Sequence, residues 1–152
     1  MQHSVLIIDD EKIIPKYLKK EIEKRISNIN VFTASDEDDI IYKVENLYYN
    51  IAVVDLKMDD FEFDGIDIIE KILNVNPFAN IIVMTGYLPE FRDAVNILKK
   101  SGRIIDIIDK LNMKIFTKQI IDASNKIIDE FENNPNINIK ALESLFADAV
   151  NQ

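Results

Sequence analysis

The chain has 152 residues, of which 47% are hydrophobic and 30% charged, a composition typical of one compact domain. Its 27 acidic residues outnumber 18 basic ones, and the net charge of −9 disfavours direct binding to nucleic acid phosphates or to acidic membranes. The absence of cysteine excludes a disulfide framework, a thiolate nucleophile and a cysteine metal site. The single histidine nearly excludes a Ser-His-Asp triad and a multi-histidine metal site.

The start of the chain lacks the basic region of a signal peptide, and Asp9 interrupts its first apolar run. No apolar run elsewhere is long enough to span a bilayer, so we expect a cytoplasmic protein. His3, the one histidine, precedes the first predicted strand, and we expect it to be an exposed terminal residue rather than a ligand.

Five short runs rich in Ile and Val recur along the chain, and they are continuous rather than alternating, which is typical of strands covered on both faces. The predicted strands are Val5–Ile8, Val31–Ala34, Ile51–Val54, Ile81–Met84 and Ile104–Ile108.

Each predicted strand is followed by a stretch with helical spacing of its apolar residues. The predicted helices are Glu11–Ser27, Asp36–Tyr49 with Ser35 as its N-cap, Ile66–Val75, Pro89–Lys100 and Ile115–Glu132. Five consecutive β-α units joined by right-handed crossovers predict an α/β fold, an open, doubly wound parallel sheet with helices on both faces. In such sheets ligands bind beyond the carboxyl ends of the strands.

Polar side chains lie at or just after the ends of four of the predicted strands: Asp9 and Asp10, then Asp55, Thr85 and Lys110. Carboxylates brought together repel one another and need a cation between them, and an oxygen-only site favours Mg²⁺, or Mn²⁺ as a substitute. Asp55 can attack phosphorus, since carboxylates form aspartyl-phosphates. Lys110 can offset charge on a phosphoryl group while Thr85 donates a hydrogen bond to it.

The stretches VLIIDDE, IAVVDLKM, FDGIDIIEKI, IIVMTGY and IIDIIDK resemble the receiver domain of two-component response regulators over roughly residues 4 to 132. The resemblance implies a flavodoxin-like sheet with strand order 2-1-3-4-5. It also implies that Asp10, Asp55 and the backbone carbonyl of Lys57 bind Mg²⁺, with Asp9 supporting the metal through water.

As a receiver domain, the chain is expected to accept phosphate on Asp55 from a histidine kinase or a histidine phosphotransfer protein in a phosphorelay, and later to lose it by hydrolysis. The resemblance implies no enzymatic activity beyond this self-phosphorylation and self-dephosphorylation. It implies a switch that reshapes the surface of helix four, strand five and helix five, where a downstream protein or a second copy binds.

Several positions depart from the family pattern. Leu111 replaces the proline that usually follows the strand-five lysine, and Ile107 replaces the switch aromatic. A cis bond before a non-proline residue costs about 2.5–4 kcal/mol, so we expect a trans bond after Lys110 unless the loop is strained. Asp109, which precedes that lysine, could compete for its ammonium.

The loop after Asp55 has Asp59 where proline is usual, and Asp64-Gly65 follows about two residues later than the family pattern places it. We expect the additional acids of this loop to lie in solvent; they are Asp59, Asp60, Glu62 and Asp64. Lys57 and Tyr87 are expected to border the path of the hydrolytic water.

Two other functions remain open at this point. A pseudo-receiver would keep the fold but act as a protein-binding module without phosphorylation, and the replacements at Leu111 and Ile107 favour it. A phosphohydrolase of a related α/β fold is disfavoured, because the general acid expected two residues after the nucleophile is Lys57 here.

The predicted organisation is a receiver domain at residues 1–132 and a linker with a short amphipathic C-terminal helix at residues 133–152. The helix is predicted over Lys140–Val150, and its apolar face needs a packing partner, on this domain, on a second copy or on another protein. A truncated chain, with an output domain removed, is the alternative interpretation.

Overall fold

The structure, a computed structural model, describes residues 3–86 and 88–133. Strands and helices alternate along this part of the chain. The strands are β1 (His3–Ile8), β2 (Ile29–Ala34), β3 (Ile51–Asp55), β4 (Asn80–Thr85) and β5 (Ile104–Asp109). The helices are α1 (Ile13–Arg25), α2 (Glu37–Asn46), α3 (Gly65–Val75), α4 (Leu88–Lys99) and α5 (Met113–Asn133).

The five strands form one sheet in the order β2-β1-β3-β4-β5, and all four pairings are parallel. This is the predicted flavodoxin-like fold. Every residue of β1 and β3 is buried, which explains why these strands read as continuous apolar runs. The register between β4 and β5 shifts by one residue, because Ile81 pairs with Ile104 whereas Ile82 pairs with Asp106.

Two hydrophobic clusters cover the two faces of the sheet. Residues of α1 and α5 pack on one face, and residues of α2, α3 and α4 pack on the other. Helix α1 contributes Ile14, Leu18 and Ile22 at steps of four residues, which is the apolar stripe expected from its sequence. None of the helices in the part of the chain described here is long and apolar enough to cross a bilayer.

The free edge of β2 is covered by lysine side chains from both faces of the sheet. Lys19 of α1 donates to the carbonyl of Val31 at 3.0 Å, and Lys43 of α2 donates to the carbonyl of Thr33 at 2.6 Å. The carbonyl of Asn28 accepts a hydrogen bond from His3 N–H, and the carbonyl of Ala34 accepts one from Asp9 N–H. Because successive carbonyls along a strand point to opposite sides, those of Val31 and Thr33 point away from the sheet. The two ammonium groups therefore satisfy carbonyls that have no neighbouring strand.

The prediction that His3 is exposed is wrong. Its side chain is buried in β1 at the amino-terminal edge of the sheet, where Nδ1 lies 3.0 Å from Asn50 Nδ2 and Nε2 lies 3.2 Å from Glu132 Oε1. The imidazole also meets the ring of Phe131 edge-on, with 5.5 Å between centroids. The burial comes from α5, whose final turn folds over the start of β1.

The bounds of α2 also differ from the prediction. Helix α2 ends at Asn46 rather than Tyr49, and Tyr49 is fully buried in the following loop, where its hydroxyl donates to the carbonyl of Val44 at 2.8 Å. The N-cap of α2 is Asp36 rather than Ser35. Tyr87 and the predicted helix Lys140–Val150 lie outside the described residues.

Candidate functional site

The carboxyl ends of four strands bring the predicted polar residues to one edge of the sheet. Asp9 follows β1, Asp55 ends β3, Thr85 ends β4 and Lys110 follows β5. Asp9 and Thr85 are fully buried, and Asp55 is 4% exposed. One oxygen each from Asp9, Asp10 and Asp55 lie within 4.8 Å of one another, so the three carboxylates can share a cation.

Lys110 lies across two of these carboxylates. Its ammonium donates to Asp9 Oδ2 at 2.8 Å and to Asp55 Oδ2 at 3.2 Å. Its backbone N–H donates to the carbonyl of Thr85 at 3.1 Å, which holds the start of the β5–α5 loop against β4. Lys110 is therefore bound within the acidic cluster, while Asp109 is exposed.

Burial and mutual repulsion disturb the ionisation of this cluster. Burial, together with the nearby charge of Asp9, raises the pKa of Asp55 to about 7. Burial also raises the pKa of Asp9, although the contact with Lys110 opposes it. Burial by itself lowers the pKa of the Lys110 ammonium, but the charges of Asp55 and Asp9 and the bonds to them outweigh it, so that this pKa is raised overall.

The donor set fits a hard divalent cation. Three ionised carboxylates against one ammonium leave two negative charges, and all the side-chain donors are oxygens, as Mg²⁺ prefers. Without a metal, the raised pKa of Asp55 means that this carboxyl group is partly protonated near neutral pH, and the proton offsets part of the negative charge of the cluster.

The β3–α3 loop, residues 56–64, lies beside Asp10. The backbone N–H of Asp59 donates to Asp10 Oδ2 at 3.3 Å. Lys57 is half-buried, and its Nζ lies 3.8 Å from Asp59 Oδ1. Of the additional acids in this loop, Asp59, Asp60 and Glu62 are exposed as expected, whereas Asp64 is partly buried and accepts a bond from Asp67 N–H at the start of α3.

These residues line an open cleft of about 360 Å³. Its polar lining includes Asp10, Asp55, Lys57 and Lys110. Its apolar lining was not predicted as part of a site; it consists of Ile14, Leu111, Met113 and Phe116. The helical stripe that contains Phe116 is a signal for burial, and only the packing of α5 against α1 shows that this residue also borders the cleft.

The departures from the family pattern have definite structural outcomes. The described residues contain no cis peptide bond, so the bond between Lys110 and Leu111 is trans. Leu111 is 83% exposed. The side chain of Asn112 caps α5 by accepting from the N–H groups of Lys114 and Ile115 at 3.1 and 3.3 Å. Ile107 is half-buried against the cluster beneath α2, α3 and α4.

Comparison with known proteins identifies a family that matches most of the chain. The model of the response regulator receiver domain matches residues 5–114. The chain is 33% identical over 84 residues to the photosynthetic apparatus regulatory protein RegA of Cereibacter sphaeroides, an alignment that covers 55% of this chain and 44% of RegA. The matched region is thus less than half the length of that relative.

Solved structures share the fold at lower identity. A CheY-like receiver domain protein from Methanospirillum hungatei superposes with a TM-score of 0.69 at 23% identity, covering 88% of this chain and 100% of that one. TrrA from Thermotoga maritima, solved in complex with Mg²⁺-BeF, gives a TM-score of 0.61 at 20% identity, covering 80% of this chain and 99% of TrrA. A Burkholderia pseudomallei response regulator, solved with a phosphorylated aspartic acid and calcium, gives 0.61 at 24% identity, covering 88% and 76%.

Proposed function

We propose that this chain, which belongs to the response regulator receiver domain family, accepts a phosphoryl group on Asp55 in a Mg²⁺-dependent reaction and uses it to switch a protein-binding surface. The observation that carries the proposal is the meeting of Asp10, Asp55 and Lys110 in one open cleft with the buried Asp9 beneath them. This arrangement supplies a nucleophile, a cation site and an ammonium together.

In the proposed reaction, a carboxylate oxygen of Asp55 forms a bond to phosphorus while the bond from phosphorus to the donor histidine nitrogen breaks. That nitrogen keeps the electron pair and is protonated from solvent. Lys110, already 3.2 Å from Asp55 Oδ2, offsets charge on the phosphoryl oxygens. Thr85, at the end of the neighbouring strand, is proposed to donate its hydroxyl to one of these oxygens.

The proposed metal ligands are the side chains of Asp10 and Asp55 and the backbone carbonyl of Lys57, with Asp9 acting through water. When bound, Mg²⁺ supplies positive charge that stabilises the transferring phosphoryl group. The close approach of the three carboxylate oxygens supports this assignment. TrrA, which shares the fold and was solved in complex with Mg²⁺-BeF, supports it by analogy.

The proposed partners are a histidine kinase or histidine phosphotransfer protein as donor, and a downstream protein or second copy as output. The output surface is proposed to comprise α4, β5 and α5, where a groove of about 250 Å³ separates α4 from β5. We propose a cytoplasmic location and no catalysis beyond the chain's own phosphorylation and dephosphorylation. The cognate pathway does not follow from RegA, of which the alignment covers 44%.

The direct test is the intact mass of the protein after incubation with Mg²⁺ and acetyl phosphate. We expect the parent to gain one phosphoryl group, and Asp55→Asn to gain none. Asp129→Asn, at an exposed carboxylate of α5, is the matched control and should behave as the parent. Chelation of the metal should abolish the gain. An equal gain in parent and Asp55→Asn would contradict the assignment of the nucleophile.

The second candidate is a pseudo-receiver that binds partners without phosphorylation. It is favoured by the exposed Leu111 in a trans loop and by Ile107 in place of the switch aromatic. A parent protein that gains no phosphoryl group with acetyl phosphate or phosphoramidate at millimolar Mg²⁺, while remaining folded, would favour this candidate over the phosphoacceptor.

A further inference from the structure

The first residue of α3 lies against the backbone of the proposed phosphoacceptor. Gly65 is buried, and its N–H donates to the carbonyl of Leu56 at 2.8 Å. A Cβ atom at position 65 would overlap the carbonyl oxygen of Asp55 and would lie only 2.5 Å from Leu56 Cα. These are backbone atoms, so no side-chain rotation relieves the overlap. Position 65 therefore admits glycine for steric reasons, not for an unusual backbone angle.

Neither α3 nor β3 can move away easily to make room for a side chain at position 65. The start of α3 is fixed by reciprocal bonds between Asp64 and Asp67, each 3.1 Å long, and its buried face includes Ile68 and Ile69. On the other side, β3 is a central strand: it is paired to β1 along one side and to β4 along the other, and Asp55 itself pairs with Met84. A side chain at position 65 must therefore displace one of two well-packed elements.

The contact also closes the loop that carries part of the proposed metal site. The bond from Gly65 N–H to the Leu56 carbonyl joins the two ends of residues 56–64. Lys57 follows the first end directly, and Asp59 N–H holds the carboxylate of Asp10 from the middle of the loop. A shift at position 65 is thus transmitted to Asp55, to the Lys57 backbone and to Asp10, although Gly65 itself contributes no ligand atom.

We propose that Gly65 is a positioning residue for the cation site: its missing side chain lets α3 close the β3–α3 loop so that the Asp55 carboxylate, the Lys57 backbone and the Asp10 carboxylate are aligned before a metal binds. This inference rests on the proposed function, because it assumes that these groups bind Mg²⁺. It goes further by assigning a role to a residue that lies outside the donor set.

The test compares Gly65→Ala with Ile72→Val. Alanine is a better helix former than glycine, so local propensity alone predicts that the first variant stabilises α3. Ile72 is a fully buried residue of the same helix, and its shortening weakens α3 packing away from the loop. We measure the Mg²⁺ dissociation constant of each folded variant by calorimetry, beside its urea unfolding curve. Mutation of groups that orient metal ligands typically weakens metal binding by about 10–100-fold. We therefore expect Gly65→Ala to weaken Mg²⁺ binding about tenfold, and Ile72→Val to bind Mg²⁺ like the parent.

Two results would overturn the proposal: parent-like Mg²⁺ affinity in Gly65→Ala, or an equal loss of affinity in both variants. If Gly65→Ala does not fold, amide hydrogen exchange of the metal-free parent decides. The Gly65 amide should then be protected to within about tenfold of the amides in the middle of α3, and unchanged by Mg²⁺. Rapid exchange that slows only with Mg²⁺ would refute a preformed loop.

Failure of the proposed function has a different signature. A parent that binds no Mg²⁺ would contradict the magnesium site itself, and the exchange measurement on the metal-free protein would still accept or reject the closed loop at Gly65.

Discussion

The two edges of the sheet treat buried polar groups in opposite ways. At the amino-terminal edge, Asn50 Oδ1 accepts from Ser4 N–H at 2.8 Å, which leaves Asn50 Nδ2 to donate to His3 Nδ1. The other imidazole nitrogen, Nε2, then carries the proton toward Glu132. At the carboxyl-terminal edge, three carboxylates face a single ammonium from Lys110.

The difference shows that the chain itself satisfies the buried polar groups at one edge but not at the other. Amino-edge groups are matched donor to acceptor, and the network continues through Asn80 to Arg103, which donates to Asn80 Oδ1 at 2.9 Å. The carboxyl edge keeps uncompensated negative charge, and the pKa of Asp55 rises to about 7 as a result. One edge is built for stability, and the other is held at an energetic cost that a ligand can relieve.

The largest expected effect on stability comes from removing the buried hydrogen bonds of Asn50 at the amino-terminal edge. Asn50→Ala removes the acceptor for Ser4 N–H and the donor for His3 Nδ1, and both partners stay buried. Since each unsatisfied buried group costs roughly 1–3 kcal/mol, we expect a loss of about 2–4 kcal/mol in the free energy of unfolding, measured with urea. Asn46→Ala is the control, because the Asn46 side chain bonds in an exposed position. A loss in Asn50→Ala no larger than in the control would contradict the network.

At the carboxyl edge, removing charge should have the opposite sign. Asp55→Asn deletes a buried charge that Asp9 repels, so we expect the metal-free variant to be more stable than the parent by about 2 kcal/mol near pH 8. Added Mg²⁺ should stabilise the parent and leave the variant nearly unchanged. The measurement is urea unfolding with and without Mg²⁺, with Asp129→Asn as the control. A less stable Asp55→Asn would show that the charge is not held at a cost.

The pH dependence of the metal-free protein should report the same charge. The pKa of Asp55 is about 7 in the folded state and ordinarily 3.8, so between these values the folded state binds a proton that the unfolded state lacks. The free energy of unfolding therefore falls as the pH rises through that window. From about pH 5.5 to about pH 7.5 we expect a decrease of about 1–2 kcal/mol.

Variants at the two edges locate this pH effect. Asn50→Ala should keep the slope of the parent, because it leaves the carboxylates intact, whereas Asp55→Asn should flatten it. A slope that survives in Asp55→Asn would place the titrating group elsewhere.

The smallest expected effect concerns access of water to the carboxyl edge. Lys57 is half-buried and lines the cleft beside Asp55. Shortening it in Lys57→Ala should admit the hydrolytic water and shorten the phosphoryl half-life about threefold, a change in barrier of well under 1 kcal/mol. The measurement is phosphate release after removal of the donor, with Lys126→Ala on the exposed face of α5 as control. An unchanged half-life would argue against this role.

The sequence allowed the carboxyl edge to be predicted because each residue there lies at or just after the end of an apolar strand. A continuous apolar run that stops at Asp9 or Asp55 marks both the strand and its end, and parallel pairing then brings the ends together. The fold followed from the same pattern. The bonds that Lys110 makes to Asp9 and Asp55 depend on the loop path, which the pattern does not contain.

The amino edge could not be predicted in this way. His3 is buried by Glu132 and Phe131, which lie almost at the other end of the described chain, so no local pattern around His3 indicates its environment. Tyr49 was predicted to end α2, but the helix ends at Asn46 and the Tyr49 hydroxyl donates to the carbonyl of Val44, a contact that the local pattern does not indicate. In the sequence, Gly65 was notable only because it follows Asp55 about two residues later than in the family pattern. Its steric role is seen only in the structure, where it lies against the backbone of Asp55 and Leu56.

The lysines on the outer edge of β2 have a consequence for how copies of this protein can associate. A strand from another molecule that paired with β2 would have to displace the ammonium groups of Lys19 and Lys43 from the carbonyls of Val31 and Thr33. Charged side chains placed on an edge strand in this way oppose hydrogen-bonded pairing of that strand with a strand of another molecule. Extension of the sheet across molecules is thus disfavoured at β2.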